Sequence, residues 1–476
     1  MNESKLLRLL GKTAPDDWNA LSKFLQSPYH NSNKKLTEFH CLLSKFYPNF
    51  SDSRLTKEKV FKKLFPKKKM FDQKQFANLM SHFLSKTNAF FTIRQLEKKS
   101  ILKERLLGEY YEQQGWYPLY KKNTFGVLKT IEQLNNPSSE DYFHDFWLRH
   151  RYIFHPETPR ISGSHEQYEK TIKSLSNWSV LEILKLACEI KSRATFLSKE
   201  IPVPFLPQVK EYAQQLSLPG HTMFLMTLQL LETRDLLFFD EVTIYFFKHL
   251  DYIHFSDQLN LYTIFLNFAN QTALQGKTSF YKKVFELNKK GLKLELLMEH
   301  NQIHSAHFSN IVIVGILVNE LSWTKKFIKD YQNILDPEDQ FILTKYCEAR
   351  ILAAENNFKK ALANLYEIEG LQHDYSFRVR SALIRCLYEL FLQKDSYYDT
   401  LISRTESFEK HISRDQTWHP QRKKSYINFC RTIHQFLNLQ RRPSAKLQAS
   451  ILEDLKTIPL VGRQWFFKKL EQFNHQ

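Results

Sequence analysis

Three groups of residues in this 476-residue chain have the type and spacing to do chemistry: two Gly-Lys-Thr triplets, a trio of histidines, and a lysine cluster with hydrogen-bonding neighbours. The triplets are Gly11-Lys12-Thr13 and Gly276-Lys277-Thr278. A phosphate-cradling loop needs another glycine five residues before the triplet's own, and a strand leading in. Leu6 and Gln271 stand at those places, so neither triplet reads as a nucleotide site. His300, His304 and His307 have spacings that a helix could turn into a metal-binding face. Asn301 to Ser305, however, reads as the gap before a helix that begins near Ala306, which makes these surface-loop histidines. Ile161-Ser162-Gly163-Ser164-His165 lacks the Gly-x-Ser-x-Gly frame of a nucleophile elbow. No acidic pair is marked out by an apolar setting. The reading nominates no catalytic residue, no cofactor and no metal ligand, and points away from an enzyme.

The lysine cluster is more informative. Lys67, Lys68 and Lys69 run together, and Lys74, Asn78 and His82 follow at helical spacing. Lysines of this kind touch phosphates, while Asn and His can reach base edges. Residues 1–100 hold 20 Lys+Arg against 8 Asp+Glu, whereas the other 376 residues hold 48 against 42. Two thirds of the chain's +18 net charge therefore sits in about a fifth of its length. That asymmetry predicts an N-terminal surface facing something acidic, either nucleic acid or an acidic protein.

The elements that must carry these residues read as helices. Asp16 or Asp17 is expected to cap a helix with Trp18, Leu21, Phe24 and Leu25 inward, stopping at Ser27-Pro28. A second runs from about Asn33, burying Leu36, Phe39, Leu43 and Phe46, and ends at Pro48. Thr56 caps a short third helix, Lys57 to Phe65, broken by Pro66. Asp72 and Gln75 form a capping box for a fourth, with Phe76, Leu79, Met80, Phe83, Leu84, Phe90 and Phe91 on one stripe. A short helix, a basic link and a longer helix is the layout of a helix-turn-helix. Its spacing loosely resembles the DNA-binding domain that precedes helical repeats in some bacterial transcriptional activators. The six-residue link is longer than usual. No hairpin wing follows Phe91, and Thr92 to Tyr111 reads as more helix.

Beyond residue 100 the same rhythm persists. The chain has 11 glycines, where average usage of about 7% would give roughly 33, so it lacks the residue on which phosphate loops and hairpins depend. Breaks fall at Asn135-Asn136-Pro137, Pro156 to Gly163, Pro202 to Pro207 and Pro219-Gly220. Phe341 to Glu369 is the clearest repeat unit. Ala349 and Leu352 lie on its first helix, Asn356-Asn357 at the turn, and Phe358, Ala361 and Leu365 on its second, matching the tetratricopeptide alternation of small and large packing positions. The preceding unit puts Trp323 and Phe327 on its second helix and closes at Asp336-Pro337. The next sets Leu383, Leu387 and Leu390 against Tyr398, Leu401 and Ile402. The fold class is all-α, an irregular tetratricopeptide-like α-solenoid (101–476) following a basic, helix-turn-helix-like N-terminal region (1–100).

Ser322 to Ile328, Asn356 to Leu362, Leu387-Tyr388-Glu389-Leu390, Gly276 to Gly291 and Trp465 to Leu470 carry a resemblance to a family of uncharacterised helical-repeat proteins frequent in bacteria of the phylum Bacteroidota. The resemblance runs from about Lys57 to the end. It implies the helical-repeat fold and a bacterial cytoplasmic setting, and supplies no site residues. Five widely spaced cysteines, Cys41, Cys188, Cys347, Cys386 and Cys430, fit reduced core thiols in a cytoplasmic protein. No signal peptide is read at Met1 to Trp18, and Ile311 to Val318, among the longest apolar runs, falls far short of the roughly 20 residues of a membrane span. The expected function is that of a scaffold or adaptor, holding a protein or peptide in a concave groove with Phe, Tyr and Lys anchors. The alternative is a nucleic-acid-binding regulator acting through Lys67, Lys68, Lys69, Lys74, Asn78 and His82.

Overall fold

Helices account for 78% of the residues that the structure describes, more than twice the share in an ordinary globular domain, which fixes the class as all-α. The structure, a computed structural model, describes residues 4–159, 165–193, 201–299, 301–371, 375–416, 418 and 420–473. Among them the only strands are β1 (Met298–Glu299) and β2 (Gln302–Ile303), a minimal antiparallel pair with Met298 opposite Ile303. Asn301 turns that pair at a φ of 62°. The expected plain gap between helices at Asn301 to Ser305 is thus a tight hairpin, followed directly by the next helix.

The first five helices are α1 (Lys5–Gly11), α2 (Pro15–Gln26), α3 (Lys34–Leu43), α4 (Lys57–Leu64) and α5 (Gln73–Lys98). Their apolar stripes converge on one core, in which Leu10, Leu21, Leu36, Phe39, Leu43, Leu64 and Phe83 are fully buried. Asn33, Thr56 and Asp72 cap α3, α4 and α5 with their side chains, as their positions in the sequence require. Asp16 and Asp17 do not cap α2: they lie inside its first turn, because Pro15 already opens the helix. Proline's fixed φ and missing N–H suit the first helical position. The second expected helix is also shorter than read, ending at Leu43 and leaving Phe46 half-buried in the turn. The short leucine-rich α1 was not anticipated. Within this core the His40 ring stacks on Trp18 at 4.2 Å, and burial lowers its pKa to about 4.

The chain continues through α6 (Ser100–Gln113), α7 (Tyr117–Glu132), α8 (Ser139–Phe154), α9 (His165–Ser192), α10 (Leu206–Gln215), α11 (Pro219–Thr233) and α12 (Leu236–Lys248). Pro219-Gly220, read as a break, instead begins α11; the break precedes it. Part of the expected break at Pro156 to Gly163, with Ile161 to Ser164, lies outside the described residues. Two compact units result. One comprises Met1–Leu186, Val203–Thr222 and Asp251–His254; the other comprises Ala187–Pro202, Met223–Leu250 and Phe255–Gln476.

The second unit goes on with α13 (Phe255–Leu274), α14 (Phe280–Lys293), α15 (Ser305–Leu317), α16 (Leu321–Tyr331), α17 (Pro337–Ala354), α18 (Phe358–Glu369), α19 (Ser376–Gln393), α20 (Tyr398–Arg414), α21 (Pro420–Arg441), α22 (Ala445–Thr457) and α23 (Arg463–Phe473). Each helix from α13 to α23 packs on the next. In addition α15 packs on α17, α17 on α19 and α19 on α21, so the odd-numbered helices share a wall. Close approach is secured by small residues. Gly291 on α14 lies against Tyr262 of α13, and Gly315 on α15 against Thr324 of α16. Ala349 and Ala361 are buried on the facing helices α17 and α18. Asn356 makes the turn between those two at a φ of 61°, a conformation that Asn tolerates better than most residues. Trp323 stacks on Phe327 at 5.5 Å and packs edge-on against Phe285. Asp336 opens α17 as its cap, with Pro337 in the first helical position.

Candidate functional site

The six residues singled out in the N-terminal region fall on α5 and the link before it. Phe71 anchors that link by packing edge-on against Phe61 of α4 at 5.3 Å, while Asp72 accepts from the Gln75 amide at 2.9 Å. With the link held at its α5 end, Lys67, Lys68 and Lys69 project as exposed side chains. Lys68 folds back to Asp72 at 3.3 Å, and the remaining two have no ion pair among the described residues. Lys74 and Asn78 are exposed on successive turns of α5. His82 is exposed one turn further on, its Nδ1 3.4 Å from the Asn33 side chain. Lys86, on the same side, is engaged with the His30 carbonyl at 2.6 Å and closes the free stretch. The result is a short basic ridge that can contact phosphates, with two hydrogen-bonding residues, Asn78 and His82, beside it. α5 packs against α1 and α2, while α4 seats on α3.

Of the histidine trio, two members lie among the described residues. His304 caps α15 by accepting from the Ala306 amide, and His307 is half-buried with its ring centroid 6.1 Å away. Burial and then the neighbouring His304 lower the His307 pKa. His300 lies outside the described residues. Among those residues no group of three or more His, Cys, Asp or Glu is placed to hold a metal. Of the Gly-Lys-Thr triplets, the first closes α1, with Gly11 its last residue and Lys12 its C-cap, and the second is a turn in which Gly276 has a φ of 103°.

The wall formed by α15, α17, α19 and α21 carries a cluster that the sequence reading missed. Arg350 of α17 donates to the Tyr346 hydroxyl at 3.1 Å. Arg378 of α19 donates to Ser309 Oγ of α15 at 2.8 Å, and Arg385, two turns further along α19, donates to the Ser381 carbonyl at 3.2 Å. All three are half-buried. Burial, and then the like charge of Arg350, hold Arg385 down to about 10. On α21, Tyr426 is buried within the field of Arg378, Arg422 and Arg385. Arg422 itself covers the Trp418 ring at 3.8 Å. The residues recur at i and i+7 on α19, a signal present in the sequence. Yet the wall that unites them joins positions up to 117 residues apart (309 to 426). No protein family, no curated protein and no solved structure matches this chain.

Proposed function

We propose that this is a non-enzymatic helical-repeat protein whose irregular, tetratricopeptide-like array holds a protein or peptide partner. The observation that carries the reading is the run of helix pairs α15 to α22, in which α15, α17 and α19 each meet both their own partner and the next odd-numbered helix. Such stacking buries a continuous core and leaves one wall of side chains available along the array. The small residues at Gly315, Ala349 and Ala361 are those that tight helix pairing asks for. The likeness to the Bacteroidota helical-repeat family and the cytoplasmic setting belong to the same proposal. The test is purification of the tagged full-length chain from its native host, with and without nuclease. A stoichiometric protein retained through nuclease treatment is expected; recovery of nucleic acid alone would overturn the reading.

A second reading, nucleic-acid binding through the N-terminal ridge, is favoured by the projection of Lys67, Lys69 and Lys74, without ion pairs among the described residues, beside Asn78 and His82. It makes a quantitative prediction for the full-length protein on duplex DNA. The slope of log K against log[salt] should be about −0.9 per phosphate contacted. Changing Lys67, Lys68 and Lys69 to Ala should make it shallower by up to about 3 and weaken all sequences alike. Asn78→Ala should instead alter sequence preference. No duplex binding at about 50 mM salt, where the electrostatic contribution is strong, would sink this second reading.

A further inference from the structure

Three guanidinium groups on one half-buried wall, with no carboxylate paired to them among the described residues, are hard to explain as structure. Guanidinium is always charged at neutral pH, and burying like charges together raises the free energy of the folded state. Folded proteins answer such a cost with a counter-charge. Here, among the described residues, Arg350, Arg378 and Arg385 each bond one neutral acceptor, and none has an acidic partner. Three acids of the wall's own helices, Asp339, Glu348 and Glu389, are engaged elsewhere. Asp339 of α17 accepts from Ser305 at 2.6 Å, and Glu348 accepts from Asn364 of α18 at 3.3 Å. Glu389 of α19 accepts from Trp465 Nε1 at 2.8 Å and Lys469 at 2.6 Å. Helices α15 and α21 contain no acidic residue at all.

The neutral bonds that do exist orient the cluster. Tyr346 fixes Arg350, Ser309 fixes Arg378, and the Ser381 carbonyl fixes Arg385, so each guanidinium keeps further N–H donors of its fork unspent. Arg378 also lies over the Tyr375 ring at 5.6 Å. The backbone at Gly462 comes close beside Arg385, where a Cβ would be 3.5 Å from its Nη1. Planar forks held in this way suit bidentate recognition of an oxygen anion. A protein departs from local consistency chiefly where function requires it.

We propose that Arg350, Arg378 and Arg385 form an oxyanion-binding site on the α15–α17–α19–α21 wall, taking a ligand that presents a phosphate or carboxylate group. The site does not depend on the partner being a protein, so it stands or falls separately from the array's proposed function. The test is calorimetric titration of the full-length protein at constant ionic strength with two probes: sodium phosphate, and N-acetylated tri-glutamate. Saturable binding of phosphate alone identifies a free phosphate-type ligand; saturable binding of tri-glutamate identifies peptide-borne carboxylates. Either supports the site, provided that the Arg378→Gln/Arg385→Gln double variant weakens it by about tenfold or more. Arg385→Lys, which keeps the charge and loses the fork, should weaken it by an intermediate factor. Lys67→Ala/Lys68→Ala/Lys69→Ala should leave it unchanged. Without anion, Arg385→Gln should be at least as resistant to urea as the parent, since a like-charge contact is relieved. The proposal is overturned if neither probe saturates, if the lysine variant loses as much as the arginine variant, or if Arg385→Gln unfolds more readily without anion.

Discussion

Gly291→Ala is expected to destabilise the protein by roughly 1–3 kcal/mol, the usual cost of forcing atoms into a packed core. A Cβ at this position would lie 2.6 Å from Tyr262 Cζ and closer still to the hydroxyl oxygen. The Tyr262 side chain is completely buried and donates to the Leu287 carbonyl at 2.5 Å, so it has nowhere to swing without giving up that bond. The α13–α14 contact must open or the hydroxyl must go unpaired in the interior. For a unit of this size each kcal/mol corresponds to about 2–4 °C in melting temperature. Tyr262→Phe removes the nearest offending atom. The double variant should therefore be more stable than the sum of the two single changes predicts, as neighbouring sites couple. Additive losses, or an unaltered melting curve for Gly291→Ala, would show that the two helices do not meet at this point.

Acidification should loosen the α1–α5 core through His40. The imidazole is enclosed by Trp18 and Phe83, with ring centroids at 4.2 and 6.4 Å, and its Nε2 has no hydrogen-bond partner among the described residues. Burial lowers its pKa from the ordinary 6.5 to about 4, against a weaker opposing bond to the Trp18 backbone. Above pH 6.5 the ring is neutral in folded and unfolded chains alike and contributes no pH dependence. Between 6.5 and 4 the unfolded chain takes up a proton that the folded core refuses, so stability falls as pH falls, by up to about 1.4 kcal/mol per unit. The accumulated loss approaches roughly 3 kcal/mol near pH 4. Hydrogen exchange of the α3 amides at pH 7, 6 and 5 reads this directly, because exchange reports local opening. His40→Gln should flatten the dependence relative to the parent; equal slopes in the two proteins would remove His40 as the cause.

Most of the helical pattern could be read from the chain because caps and apolar stripes are local. Asn33, Thr56 and Asp72 each announce a helix through their own side chains, and Asn356-Asn357 announces the turn between α17 and α18. The two misplaced starts share one origin. In the sequence Pro15 and Pro219 look like punctuation outside a helix, yet a first turn has no use for the N–H that proline lacks. α1 escaped notice because seven residues contain too few turns for a period to declare itself. The lysine ridge was legible as composition, since α5 is one continuous helix and its outward positions follow from its inward ones. The arginine cluster was not. It needs four helices brought side by side, and nothing within any one of them states that Ser309, Tyr346, Arg378 and Tyr426 will be neighbours. Charge summed over a segment also conceals it, because acids that enter the count, Asp339, Glu348 and Glu389 among them, are committed to other partners.

The five thiols acquire a property from their placement. Cys41 is exposed on α3, while Cys188, Cys347, Cys386 and Cys430 are buried. Burial raises the pKa of all four, to about 11 for Cys386 and further for the others, so virtually none is thiolate at neutral pH. An alkylating reagent should therefore modify the folded chain at a single position. Cys347, Cys386 and Cys430 lie one each on α17, α19 and α21, so each is shielded by a different stretch of the same wall. Their successive modification under mild denaturant would show the order in which that wall comes apart, with no residue altered to report it.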